Sequence, residues 1–386
     1  MLDIAVLCPV TPFEQTDGHR MAMASDLQAI LDNKLTVGVA TFLYDRQKPS
    51  ASAPCESRYF RVGGGSFTVR LLRGLLSKIP PSSERLYTKE SIAGIKDAIR
   101  DWRPKIVVIN DVSMAGYIPY IRDIVPSAKI VIRTHNVMHD IRREQLARTR
   151  YPSKIAVRLD VERYCKFERE SLGAADAVWS ITQADADRFA ELYGAVPQVL
   201  SVSVPLERYR SIATSEGRTS YFIHVGTLDY RRWTDLQNFL SKSWPKVLEA
   251  DPDAGITFAG ALYGKAIEAQ GVRYAGTVKD DAAVYRQGRL ALNIQQSTGG
   301  IKLKTLTSLA AGRTLFSTAH GVEGVPIASG KHYWDMDVFH ENRLKDVLAD
   351  SEGLREVAES GRAWVEQHHS RGAMAKQFSR LVEAIP

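Results

Sequence analysis

Runs such as IVVIN at 106–110 and IVIRT at 130–134 place apolar residues side by side with no polar alternation. A strand of that composition is stable only when both of its faces are covered, which requires a parallel sheet flanked by crossover helices. The first half of the chain repeats the pattern. Strands are expected at residues 3–8, 37–44, 105–110, 129–134, 177–181 and 197–202, and helices at 21–33, 89–102 and 138–174. Residues 205–220, PLERYRSIATSEGRTS, break the alternation with Pro, Gly, Ser and charge, as a linker does. A second series follows in YFIHVGTL, GITFAG, RYAGTV, LALNIQ, TLFSTA and HYWDM.

The expected fold class is therefore α/β, with two tandem doubly wound Rossmann-like domains facing across a cleft and ligand sites at the carboxyl ends of strands. The boundaries read as a first domain over 1–205, a linker over 206–220, and a second domain over 221–365. A terminal helix over 366–386 is expected to pack back toward the first domain. At 386 residues the chain exceeds one ordinary core, which suits two domains. With 44% hydrophobic and 25% charged residues, neither large-scale disorder nor a membrane-embedded body is expected.

The beginning, MLDIAVLCPV, reads as a first strand rather than a signal peptide, and no run of about 18 apolar residues exists to span a bilayer. Cys8, Cys55 and Cys165 lack metal-ligand spacing and read as reduced thiols, so a cytoplasmic location is expected. The net charge of +7 sits mostly in residues 1–210, which hold 30 Lys and Arg against 24 Asp and Glu. A basic first half suits an anionic membrane surface or an anionic ligand. Nucleic acid is not expected, because no aromatic stacking motif is interleaved with the basic residues. Residues 67–79, FTVRLLRGLLSKI, have the form of a short basic amphipathic helix, open to membrane contact, to an acceptor-side loop or to a plain domain helix.

The chemistry concentrates in residues 297–312, STGGIKLKTLTSLAAG. Leu303, Leu306, Leu309 and Ala310 share one helical face, while Lys304, Thr307 and Ser308 share the other. A glycine-flanked helix start collects unpaired N–H groups and favours an anion. Lysines in the first turn oppose the helix dipole by a few tenths to ~1 kcal/mol unless a negative group sits between them. Lys302 and Lys304 are placed in that way, with Lys302 in the turn ahead of the helix.

Residues 221–325 resemble the donor-binding domain of GT-B glycosyltransferases, of the retaining, family 4-like kind that builds bacterial cell-wall and exopolysaccharide glycans. The resemblance rests on HVGTLDYRRWTDLQNFL, Trp244-Pro245, DAGITFAG, VRYAGTVKD, GGIKLKTLTSLAAGRTLFST and HGVEGV in that order. RTHNVMHD and ERESLGAADAVWSITQADADRF extend it at fold level into the first half. It implies a diphosphate site at Gly226, Thr227, Arg231, Gly299, Gly300, Lys302 and Lys304, with Gly18 closing a loop after the first strand. It also implies a nucleoside site at Gly276, Thr277, Val278 and Thr307. Thr307 stands where the family usually has a glutamate that grips the ribose, which is the main departure. Arg232 reads as solvated.

Asp111 and His135 follow apolar strands and are the candidate catalytic groups if transfer inverts. Retention requires no protein base, because the leaving phosphate takes the acceptor proton. No cofactor and no metal are expected. The function implied is transfer of a sugar from a nucleotide-diphosphate sugar to a glycan or lipid-diphosphate-linked acceptor, with peripheral contact to an anionic membrane as a further expectation. Two alternatives remain open. One is a non-catalytic scaffold or partner subunit on the same fold; the other is a nucleotide-sugar epimerase, for which Glu323 would be the nearest carboxylate.

Overall fold

A computed structural model of the chain describes residues 1–13, 17–44, 47–66, 77–151, 153–296, 300–341 and 343–386, the side chains of Arg148, Tyr230 and Arg231 excepted. The chain separates into two units, Met1–Val202 with Met374–Pro386, and Ser203–Ala373. Each is built around one wholly parallel sheet.

The first unit runs β1 (Ile4–Cys8), α1 (Gly18–Asp32), β2 (Val37–Leu43), β3 (Glu56–Arg61), α2 (Lys89–Trp102), β4 (Ile106–Asn110), α3 (Ile118–Ile124), β5 (Lys129–Arg133), α4 (Met138–Arg148), α5 (Ser153–Ala174), β6 (Ala177–Ser180), α6 (Gln183–Tyr193) and β7 (Gln198–Val199). Its strand order is β3-β2-β1-β4-β5-β6-β7. Alternate residues of β1 serve two cores: Ala5 and Leu7 pack with α2 and α3 on one face, and Ile4, Val6 and Cys8 pack with α1 on the other. Met374, Phe378 and Leu381 of the last helix join that second core, with the Phe378 ring edge-on to Trp179 at 5.6 Å.

The second unit runs β8 (Arg218–Val225), α7 (Tyr230–Asn238), α8 (Trp244–Ala250), β9 (Gly255–Ala259), β10 (Val272–Gly276), α9 (Asp281–Tyr285), β11 (Gly288–Asn293), α10 (Leu303–Ala310), β12 (Thr314–Ser317), β13 (Trp334–Asp335), α11 (Leu344–Ala349) and α12 (Ser351–His368). The helix α13 (Arg371–Glu383) carries the chain back into the first unit. The strand order is β10-β9-β8-β11-β12-β13. Phe222, Phe258, Leu292 and Phe316 form the centre of its core, against Trp244 and Phe339.

Both sheets reverse their direction of growth once, between β1 and β4 and between β8 and β11. Crossovers on either side of such a point leave by opposite faces, so the strand ends there open into a crevice that helices do not fill. In sheets of this kind ligands bind in that crevice, beside the residues following β1, β4, β8 and β11 in the two units.

Three sequence expectations change. ESRYFR forms the edge strand β3, with exposed and half-buried residues in place of an apolar run. Residues 138–174 form two helices, and the break falls just before Pro152, where the residue ahead of a proline disfavours helical backbone. The first helix begins at Gly18 rather than at residue 21, because Asp17 caps it by accepting from the Arg20 N–H at 3.0 Å. Most of the amphipathic segment, residues 67–76, lies outside the described residues, and 77–79 are non-helical.

Candidate functional site

In the second unit, β8 ends at Val225 and the chain turns at Gly226, whose φ of 152° suits glycine. The Gly226 N–H donates to Ala259 at 2.8 Å, holding the turn to the neighbouring strand. A Cβ placed on Gly226 would lie 4.0 Å from Lys304 Nζ and 3.8 Å from His224 Nε2. The strand end, the strand residue behind it and the first turn of α10 thus converge.

Lys304 Nζ makes no hydrogen bond or ion pair among the described residues. Burial pushes its pKa down to about 7, and Arg232 and Lys302 push in the same direction, against weaker opposition from Asp235 and Asp229. Burial first, and two cationic neighbours after it, disfavour the charged form of this lysine, and an anion beside it would act in the opposite direction. Lys302 is the residue ahead of α10, with φ −89° and ψ 93°, and no side chain caps that helix start. The turn position expected for Lys302 is the observed one. The residue is only 6% exposed, and its ammonium donates to the Gly300 carbonyl at 3.0 Å and lies 3.8 Å from Glu323. Its charge is thereby committed inside the protein, and Lys304 is the one of the two whose ammonium makes no hydrogen bond or ion pair among the described residues.

His224 was not foreseen. Its Nδ1 lies 2.8 Å from the Leu292 carbonyl, which cannot donate, so Nδ1 carries the proton and Nε2 is a bare acceptor. Nε2 is buried with no partner, and burial beside Lys304 pushes the imidazole down to about 3. The only sequence signal was its position in HVGT, two residues ahead of the glycine turn. Arg232 corrects another expectation. It is half-buried, pairs with Asp229 at 2.8 Å and reaches Gln295 at 3.4 Å, because the start of α7 folds over the end of β11.

Thr227 is exposed beside the turn, and Gly300 adopts φ 62°. Gly299 lies outside the described residues, as does the Arg231 side chain. Gly276 ends β10 with φ 66° and open space where a side chain would be, and its carbonyl accepts from Gly260 at 2.8 Å. Thr277 is exposed and Val278 half-buried, so this turn presents backbone to solvent. Thr307 departs from its expected place. It is 5% exposed, donates to the Lys304 carbonyl at 3.2 Å and meets the Tyr285 hydroxyl at 3.2 Å, so its hydroxyl faces the protein rather than a ribose.

In the first unit, a second polar cluster lies at the ends of β1, β4 and β5. Asp111 has φ 117°, a strained conformation for a residue with a side chain. Its N–H donates to the Arg133 carbonyl at 3.0 Å, its Oδ1 accepts from Ser113 N–H at 2.7 Å, and its Oδ2 lies 3.6 Å from His19 Nε2. Gly18, exposed in the first turn of α1, precedes His19, whose ring packs edge-on against His135 at 4.7 Å.

His135 is set by a buried chain of hydrogen bonds. Arg133 Nε donates to Asp26 Oδ2 at 3.1 Å, and the Asn110 amide nitrogen donates to the same oxygen at 3.1 Å. Asn110 must therefore turn its Oδ1 to His135, which donates from Nε2. His135 Nδ1 is left as a buried acceptor with no partner. Burial holds this imidazole well below the usual histidine range, with His19 and Arg133 adding to the effect. Such a group accepts a hydrogen bond from a hydroxyl at Nδ1 but does not take up a second proton there at neutral pH. Asp26 itself is raised by burial, with the Arg133 guanidinium opposing the rise.

No family model matches the chain, and no curated protein matches it in sequence. Solved structures do share its fold. Sucrose-phosphate synthase from Thermosynechococcus elongatus superposes with a TM-score of 0.70 at 14% identity, over 99% of this chain and 98% of that one. HepE from Anabaena, solved in complex with UDP, gives 0.66 at 11% identity over 99% and 100%. The lipopolysaccharide outer core galactosyltransferase WaaB gives 0.65 at 12% identity over 99% of each chain. Two parallel α/β units of this order are the GT-B fold.

Proposed function

We propose that the protein is a glycosyltransferase that takes its sugar from a nucleotide-diphosphate donor. One observation carries this reading: Lys304, pushed down to about 7 and without a partner, beside the Gly226 turn at the β8/β11 switch point. A departing nucleoside diphosphate gains negative charge as the sugar–phosphate bond breaks, and a cation waiting there stabilises that charge more than it stabilises the intact donor. The Gly276 turn is assigned to the base and Gly226, Thr227 and Gly300 to the phosphates. HepE, of the same fold, is described with UDP and with UDP-glucose, which supports a uridine donor as the first to try.

Transfer is assigned to the retaining course. The carbon–oxygen bond to the diphosphate breaks, the acceptor oxygen bonds to the same carbon, and its proton passes to the leaving phosphate. Two features of the first unit support this. Asp111 is committed to the Ser113 N–H and His19, and His135 is too weak a base to accept the proton. His135 Nδ1 is assigned instead to a hydroxyl of the acceptor. The acceptor class is a glycan or a lipid-linked diphosphate of a polysaccharide-building reaction.

The test is product detection by mass spectrometry with a panel of nucleotide sugars, alongside calorimetry with the free nucleoside diphosphates. Hydrolysis or transfer from one donor supports the reading. The inward-facing Thr307 favours the rival scaffold reading, and it wins if no nucleoside diphosphate binds at millimolar concentration.

A further inference from the structure

The basic first unit carries a surface unrelated to either polar cluster. Among the described residues six large apolar side chains are exposed, and three of them fall close together in sequence: Ile155 and Leu159 on α5, and Tyr151 in the turn ahead of it. The interval of four places Ile155 and Leu159 on one side of the helix. Beside them lies an open groove of about 670 Å³, rimmed by Arg143, Lys154 and Arg158. Residues 141–159 contain six arginines and lysines and a single acid, Glu144. Arg143, Arg150 and Lys154 make no ion pair among the described residues, while Arg158 is matched by Glu162 at 2.9 Å.

We propose that the α4–α5 face docks on the surface of an anionic lipid bilayer. An exposed apolar ladder flanked by uncompensated cations is the arrangement that interfacial helices use, with the apolar residues entering the headgroup boundary and the cations meeting lipid phosphates. Charge complementarity selects this occupant. A second copy of the chain would bring the same uncompensated cations against themselves. A nucleic acid would satisfy the cations, but the face offers it the single ring of Tyr151, with Lys154 Nζ 5.8 Å from its centre, and otherwise the aliphatic Ile155 and Leu159 in place of a series of rings to stack on. No helix among the described residues is long and apolar enough to cross a membrane, so the contact is peripheral. The inference deepens the lipid-linked acceptor reading, and it rests on that reading for its purpose alone.

The test is co-sedimentation of the full chain with vesicles of phosphatidylcholine alone and of phosphatidylcholine with phosphatidylglycerol. Wild type is expected to bind the anionic vesicles at least about tenfold better than the neutral ones and to release in high salt. Tyr151→Ser/Ile155→Ser/Leu159→Ser and Arg150→Glu/Lys154→Glu should each lower anionic binding about tenfold or more. Both variants should retain the wild-type affinity for nucleoside diphosphate, a measurement that also separates failure of this inference from failure of the donor reading. Equal binding of wild type to both vesicle types, or variants that bind like wild type, overturns the proposal. So does a concentration-dependent dimer in sedimentation velocity that the triple serine variant abolishes.

Discussion

Lys304 Nζ stands 4.0 Å from the point where a side chain on Gly226 would begin, so any side chain there would lie directly against the lysine. Gly226→Ala is expected to place a methyl in that space and to strain a backbone at φ 152°. The variant should lose about 1–2 kcal/mol of stability by denaturant titration. Its affinity for nucleoside diphosphate should fall about tenfold or more by calorimetry, since that much follows from one misplaced charged contact.

The Lys304 ammonium predicts a pH dependence. Burial pushes its pKa down to about 7, and an anionic ligand would raise it toward the ordinary lysine value. Binding therefore takes up a proton above pH 7, and affinity weakens as pH climbs from 7 to 9, by at most about tenfold per unit. Lys304→Arg stays charged throughout and should flatten the profile. Calorimetry in two buffers of different ionisation enthalpy reads the proton uptake directly.

Asp26 and Arg133 form a fully buried pair. Asp26→Ala leaves the guanidinium uncompensated and is expected to cost about 3–5 kcal/mol, seen as a lower denaturation midpoint. Nucleoside diphosphate binding by the folded fraction should be unchanged, because this pair belongs to the first unit.

The same buried chain predicts the His135 tautomer. Nitrogen-15 NMR should find the proton on Nε2 and a neutral ring at neutral pH. Asn110→Leu removes the group that imposes this. It is expected to lower kcat about tenfold to a hundredfold while leaving nucleoside diphosphate affinity intact, and unchanged kcat with a scrambled tautomer would show that His135 orientation does not matter.

The two parallel sheets were legible because strands like IVVIN have only one stable environment, covered on both faces. β3 was not, since an edge strand with the composition ESRYFR satisfies its backbone without an apolar signature. At the site, the spacing of Lys304 after the glycine turn carried its own explanation. His224, Asp26 and Asn110 did not, because their roles come from atoms brought together across the sheet, at sequence separations of 68 residues to Leu292 and 84 between Asp26 and Asn110. Arg232 and Thr307 were misread for the same reason: whether a polar side chain meets solvent, a ligand or the protein is decided by tertiary packing.

The most direct measurement is titration of wild type and Lys304→Ala with UDP, followed calorimetrically, with circular dichroism to show that both are folded. The account predicts measurable binding by wild type and a loss of about a hundredfold in the variant, together with loss of sugar transfer. Equal affinity in the two proteins would contradict the assignment of Lys304 to the diphosphate.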